Sequence, residues 1–102
     1  MGPEIMDIEY TQEALDDFDR LWQFLMDASA PYADEMTSDI IRGLQNLQLF
    51  PRIGLPVSRA RDPDVMRDWY IGKYCVRYLI GKNTIYVLRI WHGKEDERNR
   101  IP

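Results

Sequence analysis

The sequence predicts an α+β domain in which an antiparallel sheet carries an α-helical hairpin on one face. Three observations predict it: apolar–polar alternation in residues 6–10, helical spacing of apolar residues up to about residue 50, and three strand-like segments after residue 64. The predicted order of elements is β-α-α-β-β-β. A chain of 102 residues supports one hydrophobic core, so we assign residues 6–102 to a single domain and residues 1–5 to a leader.

The first strand and both helices come from the N-terminal half. Thr11 follows the strand as a plausible N-cap of the first helix. The apolar stripe of that helix consists of Ala14, Leu15, Phe18, Leu21, Trp22 and Leu25. Pro31 suits the first turn of a second helix, because that position does not use the backbone N–H. The stripe of the second helix consists of Ala33, Met36, Ile40, Ile41, Leu44 and Leu47.

The C-terminal half is predicted to form a loop and three strands. Residues 51–63 contain three prolines, a glycine and three arginines, which is typical of a loop. Residues 65–71, 74–80 and 85–91 are rich in aromatic and β-branched side chains, as strands are. Short glycine-bearing separators between these segments suit tight hairpins, so we expect an antiparallel meander followed by a polar tail.

The composition excludes several classes of protein and site. No apolar run approaches the roughly 20 residues that a membrane helix needs, and the N-terminus lacks the order of a secretory signal. One cysteine forms no internal disulfide, and with one histidine it forms no Cys/His zinc site. We therefore expect a reduced, cytoplasmic protein that uses no metal or cofactor.

Charge is divided unevenly between the two halves of the chain. Residues 1–50 carry eleven acidic and two basic side chains, a net charge of −9, whereas residues 51–102 carry eleven basic and six acidic ones, a net charge of +5. This division predicts a positive face on the sheet half and a negative face on the helical half. The alternative is that both sets of charges simply solvate the surface.

Each of the three C-terminal strands has an arginine in its middle, an unusual place for a charge. Guanidinium groups bind phosphate or carboxylate with two parallel hydrogen bonds, so convergent arginines predict an anion site. The candidate catalytic residues are His92, Arg67 and Arg77, and the candidates for binding a substrate or target are Arg89, Lys94 and Arg98. The sequence leaves open that the arginines instead pair with the acidic helices or lie on a solvated face.

The only histidine, His92, is the one ready acid–base candidate, because histidine is the side chain that ordinarily titrates near neutral pH. A histidine at a strand end is also a common surface or packing residue. Cys75 is interpreted as a small apolar strand residue, since the alternation places no activating base beside it.

Four segments together resemble the RelE/ParE superfamily of bacterial toxins. They are "LQNLQLFPRIGLPV" at residues 44–57, Met66 with Arg67, "YCVRYLI" at residues 74–80, and "IYVLRIWHGKEDER" at residues 85–98. The resemblance covers nearly the whole chain from Met6 and includes the early strand and the helical hairpin. Each segment is weak by itself, and the set is fairly specific.

The resemblance implies a toxin of a type II toxin–antitoxin module, with a role in growth inhibition and plasmid stabilisation. Such a toxin forms a hetero-oligomer with a small cognate antitoxin encoded beside it. The partner is expected to fold on binding, in a groove between the helical hairpin and the sheet that Trp22, Leu25 or Trp69 would line. DNA gyrase and the ribosome are the targets that the two branches of the superfamily imply, and no membrane is involved.

Two departures favour the ParE-like branch, whose members bind and inhibit DNA gyrase. RelE-like nucleases place a basic residue where this chain has Cys75, and their basic tail ends in a tyrosine, whereas acidic residues follow Lys94 here. The net charge of −4 also disfavours work against ribosomal RNA. The alternatives are a ribosome-dependent mRNA endonuclease that uses Arg67, Arg77, Lys94 and His92, and a non-toxic homologue that only binds the antitoxin.

Overall fold

The computed structural model describes residues 5–95, which form two helices and a five-stranded mixed sheet. In chain order the elements are β1 Asp7–Tyr10, α1 Gln12–Ala28, α2 Ala30–Leu49, β2 Leu55–Pro56, β3 Met66–Ile71, β4 Tyr74–Ile80 and β5 Thr84–His92. The predicted α+β fold with a helical hairpin is confirmed. The predicted leader, residues 1–5, falls outside the described residues except for Ile5, so the division of the chain into a leader and one domain stays a prediction.

Both helices begin where the sequence places them. Thr11 is the N-cap of α1, and its hydroxyl oxygen accepts a hydrogen bond from the backbone N–H of Ala14 at 3.0 Å. Ser29 separates the helices and serves as the N-cap of α2, with Pro31 in the first turn of that helix. The two helices therefore form a hairpin with almost no connecting loop.

The sheet differs from the antiparallel meander in two respects. Its order is β1-β5-β4-β3-β2, and β1 runs parallel to β5, so the sheet is mixed. The helical hairpin follows β1 and returns the chain to the far side of the sheet, so β1 lies beside the last strand. The extra strand β2, within the predicted loop, is only two residues long and pairs antiparallel with β3.

The core lies between the helical hairpin and one face of the sheet. Buried side chains include Ala14, Leu21, Met36, Ile40, Leu44, Leu47, Val76, Tyr78, Ile85, Val87 and Ile90. Helix α2 approaches the sheet closely at Gly43, where a Cβ would overlap the side chain of Ile71. Cys75 is also fully buried, as a small apolar strand residue is expected to be.

Candidate functional site

Arg67 holds the loop before β3 in place. Its guanidinium Nη1 donates a hydrogen bond to the carbonyl oxygen of Gly54 at 2.8 Å, and its Nε donates to the carbonyl oxygen of Asp64 at 2.8 Å. The side chain also forms an ion pair with the Asp64 carboxylate at 3.3 Å. Because its donors bond to the protein itself, Arg67 has a structural role in this loop.

Tyr78 holds the same loop through two hydrogen bonds of its hydroxyl group. Its phenolic oxygen accepts a hydrogen bond from the backbone N–H of Gly54 at 3.0 Å and donates one to the carbonyl oxygen of Pro51 at 2.7 Å. The side chain is fully buried, and burial raises its pKa despite the hydrogen bond from Gly54 and the nearby positive charges. The phenol therefore remains a protonated hydrogen-bond donor over a wide pH range.

Replacing Tyr78 with phenylalanine is expected to lower the free energy of unfolding by about 1–3 kcal/mol, because Gly54 and Pro51 each lose a partner. Urea unfolding followed by circular dichroism measures the change. Tyr32→Phe is the matched control, since Tyr32 is 61% exposed and should change stability by less than about 0.5 kcal/mol. Equal stabilities of the two variants would contradict a structural role for the Tyr78 hydroxyl.

Arg77 lies on the opposite face of the sheet in a buried ion pair. Its Nε and Nη2 donate hydrogen bonds to the two carboxylate oxygens of Asp68 at 2.8 and 2.9 Å. The guanidinium carbon also lies 5.0 Å from the ring centroid of Trp91, within the range of a cation–π contact. Only 1% of the Arg77 side chain is exposed, so the group is closed to a large substrate.

Arg89 connects the last strand to α1. Its Nε and Nη2 donate hydrogen bonds to the Asp17 carboxylate at 2.7 and 3.0 Å, which raises the pKa of Arg89. Asp17 also accepts a hydrogen bond from the backbone N–H of Ile90 at 2.9 Å. Strand β1 ends at Tyr10, opposite Val87, so the Asp17 carboxylate occupies the place beside β5 that a longer β1 would fill.

The electrostatics of Asp17 follow from these contacts. Burial by itself would raise the pKa of this carboxyl, but the hydrogen bonds from Arg89 and Ile90 outweigh it and hold the pKa below its ordinary value. Arg20 lies 3.4 Å from Asp17 and 2.7 Å from Glu95, so the network extends to the end of β5. The acidic helical half and the basic sheet half of the chain are thus joined by specific ion pairs.

The three strand arginines do not converge on one site. In the β3–β4 register Arg67 lies opposite Tyr78, and Asp68 lies opposite Arg77. Since successive strand residues point to opposite faces, Arg67 and Arg77 lie on different sides of the sheet. The prediction of a convergent site is corrected in this respect. Arg89 lies opposite Arg77 in the β4–β5 register, but it donates to Asp17 whereas Arg77 donates to Asp68. Arg98 lies outside the described residues.

His92 and Lys94 lie beside a groove between the helical hairpin and the end of the sheet. The Nδ1 atom of His92 accepts a hydrogen bond from the backbone N–H of Lys94 at 3.1 Å, and its ring contacts that of Tyr74 edge-on at 5.4 Å. Burial raises the pKa of Tyr74, and the carboxylates of Asp39 and Glu35 raise it further. These contacts place the histidine among aromatic and charged side chains that reach solvent.

This groove, called the hairpin groove below, has a volume of about 910 Å³. Its lining comprises Arg20, Leu21, Phe24, Leu25, Tyr32, Glu35, Met36, Asp39, Ile71, Gly72, Lys73, Tyr74, His92, Lys94 and Glu95. Of the three predicted anchors only Leu25 lies here. Trp69 lines a smaller cleft of about 310 Å³ against α2, and Trp22 packs against the core.

Phe24 and Tyr32 are the groove residues that the sequence analysis missed. They are 72% and 61% exposed, and both lie off the apolar stripes that face the core. The available signal was a large aromatic residue on the polar side of an amphipathic helix, where burial in the core does not account for it.

Other kinds of site have no support in residues 5–95. No group of three or more His, Cys, Asp or Glu side chains is arranged to hold a metal ion in this part of the chain. Neither described helix is long and apolar enough to cross a membrane.

Comparison with known proteins gives one matching family and several similar solved structures. Residues 8–97 match the sequence model of the family described as ParE toxin of type II toxin–antitoxin system, parDE. A chain from the chromosomal ParDE system of P. aeruginosa is similar in structure, with a TM-score of 0.70 and 19% identity over 87% of this chain and 97% of that chain. A chain from the RelBE2 toxin–antitoxin complex of Mycobacterium tuberculosis has a TM-score of 0.57 and 22% identity, over 86% and 98% of the two chains. Among curated proteins, none matches.

Proposed function

Because the chain belongs to the ParE toxin family of type II toxin–antitoxin systems, we propose that it arrests growth by binding and inhibiting DNA gyrase. A cognate antitoxin encoded beside it binds the chain and neutralises it. The structural neighbours come from a ParDE system and from a RelBE2 complex, which supports an antitoxin partner of this kind.

The proposal of a binding mechanism is supported by one observation: the guanidinium groups of the three strand arginines already bond to acceptors within the protein. Arg67 donates to loop carbonyls, Arg77 to Asp68 and Arg89 to Asp17, so each guanidinium already serves the fold. Cleavage of a phosphodiester requires cationic donors that are directed at the reacting phosphate. Arginines that are held by protein acceptors favour a poison that acts by binding over one that acts by chemistry.

One observation favours the nuclease as a second candidate. His92 and Lys94, two of the residues predicted for RNA cleavage, lie together at the hairpin groove with Tyr74. A histidine, a lysine and a tyrosine are together able to move a proton and neutralise phosphate charge. In that mechanism the histidine is the acid or base, and its replacement by alanine abolishes cleavage.

The test is a gyrase supercoiling assay with the purified chain, run beside a cleavage assay on ribosome-bound message. We expect loss of supercoiling at roughly equimolar chain and gyrase, with the message intact, because a stoichiometric binder needs no turnover. Normal supercoiling at a large excess of chain would refute gyrase as the target. Cleavage of message that His92→Ala abolishes would establish the nuclease instead.

Growth after induced expression of the chain alone distinguishes the remaining alternative. Arrest is expected from either toxic mechanism. Undisturbed growth with soluble protein in the cell would indicate a homologue that retains the fold without toxicity.

A further inference from the structure

The chain makes a tight turn directly after β5, and this turn forms one wall of the hairpin groove. The backbone N–H of Gly93 donates a hydrogen bond to the carbonyl oxygen of Lys73 at 2.8 Å, and that of Glu95 donates to the carbonyl oxygen of His92 at 2.9 Å. Between them, the N–H of Lys94 donates to the Nδ1 atom of His92 at 3.1 Å. One of these three bonds therefore depends on a side chain that accepts protons.

The hydrogen bond from Lys94 defines the protonation state of the imidazole ring. A ring nitrogen that accepts a hydrogen bond carries no proton, so neutral His92 has its proton on Nε2. An imidazolium ring carries a proton on both nitrogens. Protonation therefore places an N–H at Nδ1 directly opposite the N–H of Lys94, and two donors form no hydrogen bond with each other.

The other titratable and charged groups around this ring keep their charge near neutral pH. Tyr74 contacts the ring edge-on at 5.4 Å, and burial raises its pKa above the ordinary value of 10.0, so it remains neutral. The charged side chains that line the groove with His92 are Arg20 of α1, Glu35 and Asp39 of α2, Lys73, Lys94 and Glu95. Histidine is the residue type that ordinarily changes its charge between pH 5 and 8, and His92 is the only histidine of the chain.

The turn also connects the end of β5 to α1. The Glu95 carboxylate lies 2.7 Å from the Arg20 guanidinium, which in turn lies 3.4 Å from Asp17. The Arg20 side chain is 43% exposed, and an ion pair in contact with water contributes little stability by itself. The position of Glu95 therefore depends on the hydrogen bonds of the turn as well as on the ion pair.

We propose that His92 is a pH-sensitive lock on this turn. Neutral His92 keeps Lys94 and Glu95 at the wall of the hairpin groove. As the pH falls from 8 to 5, protonation of Nδ1 breaks the hydrogen bond from Lys94, opens the turn and loosens the contact of Glu95 with Arg20. The inference goes beyond the proposed function, because the lock works in the same way whichever target the chain binds.

The test uses nuclear magnetic resonance on the full chain. Long-range correlation of the ring nitrogens and protons at pH 8 identifies the protonated nitrogen, which we expect to be Nε2. Amide hydrogen exchange is then measured at pH 8 and pH 5, with each rate divided by the intrinsic rate at that pH. The protection of the Lys94 amide is expected to fall roughly two- to tenfold, as the loss of one hydrogen bond implies. The Gly81 amide, which donates to the carbonyl oxygen of Thr84 at 2.8 Å in the β4–β5 turn, is the internal control.

Two variants separate the hydrogen bond from the titration. His92→Asn keeps an acceptor, because the side-chain oxygen of asparagine bonds to the backbone N–H two residues further along, and it does not titrate between pH 5 and 8. We expect the protection of Lys94 in this variant to be the same at both pH values. His92→Ala removes the acceptor, so the protection should be as low at pH 8 as at pH 5. Circular dichroism confirms that both variants are folded.

Three results would overturn the lock. A proton on Nδ1 at pH 8 would exclude the hydrogen bond from Lys94. Equal protection of the Lys94 amide at pH 8 and pH 5 in the unmodified chain would show that protonation does not open the turn. An equal fall of protection in His92→Asn would assign the pH dependence to another group. None of these results bears on the gyrase target, so the lock and the proposed function fail separately.

Discussion

Replacing Arg77 with leucine is expected to lower the free energy of unfolding by about 3–5 kcal/mol. The side chain is 1% exposed, and its two donors to Asp68 are lost with it. Leucine leaves the Asp68 carboxylate, itself only 12% exposed, without the cation that compensates its charge. An uncompensated charge in a low-dielectric site costs far more than the ion pair contributes.

A double-mutant cycle with Asp68→Leu separates charge burial from loss of packing. We expect the double variant to recover most of the loss, because two apolar side chains replace two charges and neither charge is left alone. Urea unfolding gives the free energies. Arg42→Leu is the control on the surface, where the side chain is 71% exposed, and it should cost less than about 0.5 kcal/mol. An effect of R77L no larger than that of the control would mean that Arg77 is not structural.

Replacing Asp17 with asparagine is expected to lower the free energy of unfolding by about 2–3 kcal/mol at neutral pH. The substitution removes the charge that holds Arg89 and weakens the acceptor that the backbone N–H of Ile90 uses. Because 19% of the Arg89 side chain remains exposed, water compensates part of the loss. The effect is therefore smaller than the one expected at the more deeply buried Arg77.

The loss of stability caused by Asp17→Asn is expected to depend on pH. The folded pKa of Asp17 lies below its ordinary value, so the ionised carboxylate stabilises the fold at pH values above the unfolded pKa, which is about 3.9. This contribution is lost as the pH falls through the lowered folded pKa. We expect the stability difference between the unmodified chain and Asp17→Asn to be constant above about pH 5 and to shrink below about pH 4.

Asp16→Asn is the control for this pH series, since Asp16 is the exposed neighbour of Asp17 on the same helix. Its difference from the unmodified chain should remain small at every pH. A difference for Asp17→Asn that stays constant down to the lowest pH at which both proteins fold would contradict the assigned pKa shift.

The local elements of the fold were predictable from the sequence, and their non-local pairing was not. Thr11 and Pro31 mark the two helix starts through hydrogen-bonding capacity that each residue type carries anywhere. The parallel pairing of β1 with β5 depends on the path of the whole chain between them. Strand β2 was not predicted, because it has only two residues, one of them proline, and so shows no alternation of apolar and polar side chains.

The candidate site was less predictable for a related reason. The alternation of strand residues separates Arg77 from the buried core residues Val76 and Tyr78, but it does not indicate which carboxylate each arginine contacts. Asp68 lies opposite Arg77 only through the register of a hairpin, and Asp17 meets Arg89 only through the packing of α1 on the sheet. The interpretation that pairs strand arginines with the acidic helices holds for Arg89, whereas Arg77 finds its carboxylate within the sheet.

The pairing of β1 with β5 also determines when, during translation, the fold is completed. Strand β1 is made before both helices and before strands β2 to β4, whereas its partner residues 84–87 are made after all of them. The α1–α2 hairpin consists of local contacts, so we expect it to form before the sheet is closed. A nascent chain that stops before residue 84 lacks the neighbour of β1, and it also lacks Arg89 and the Ile90 N–H that engage Asp17. The sheet is therefore finished only after β5 has been made.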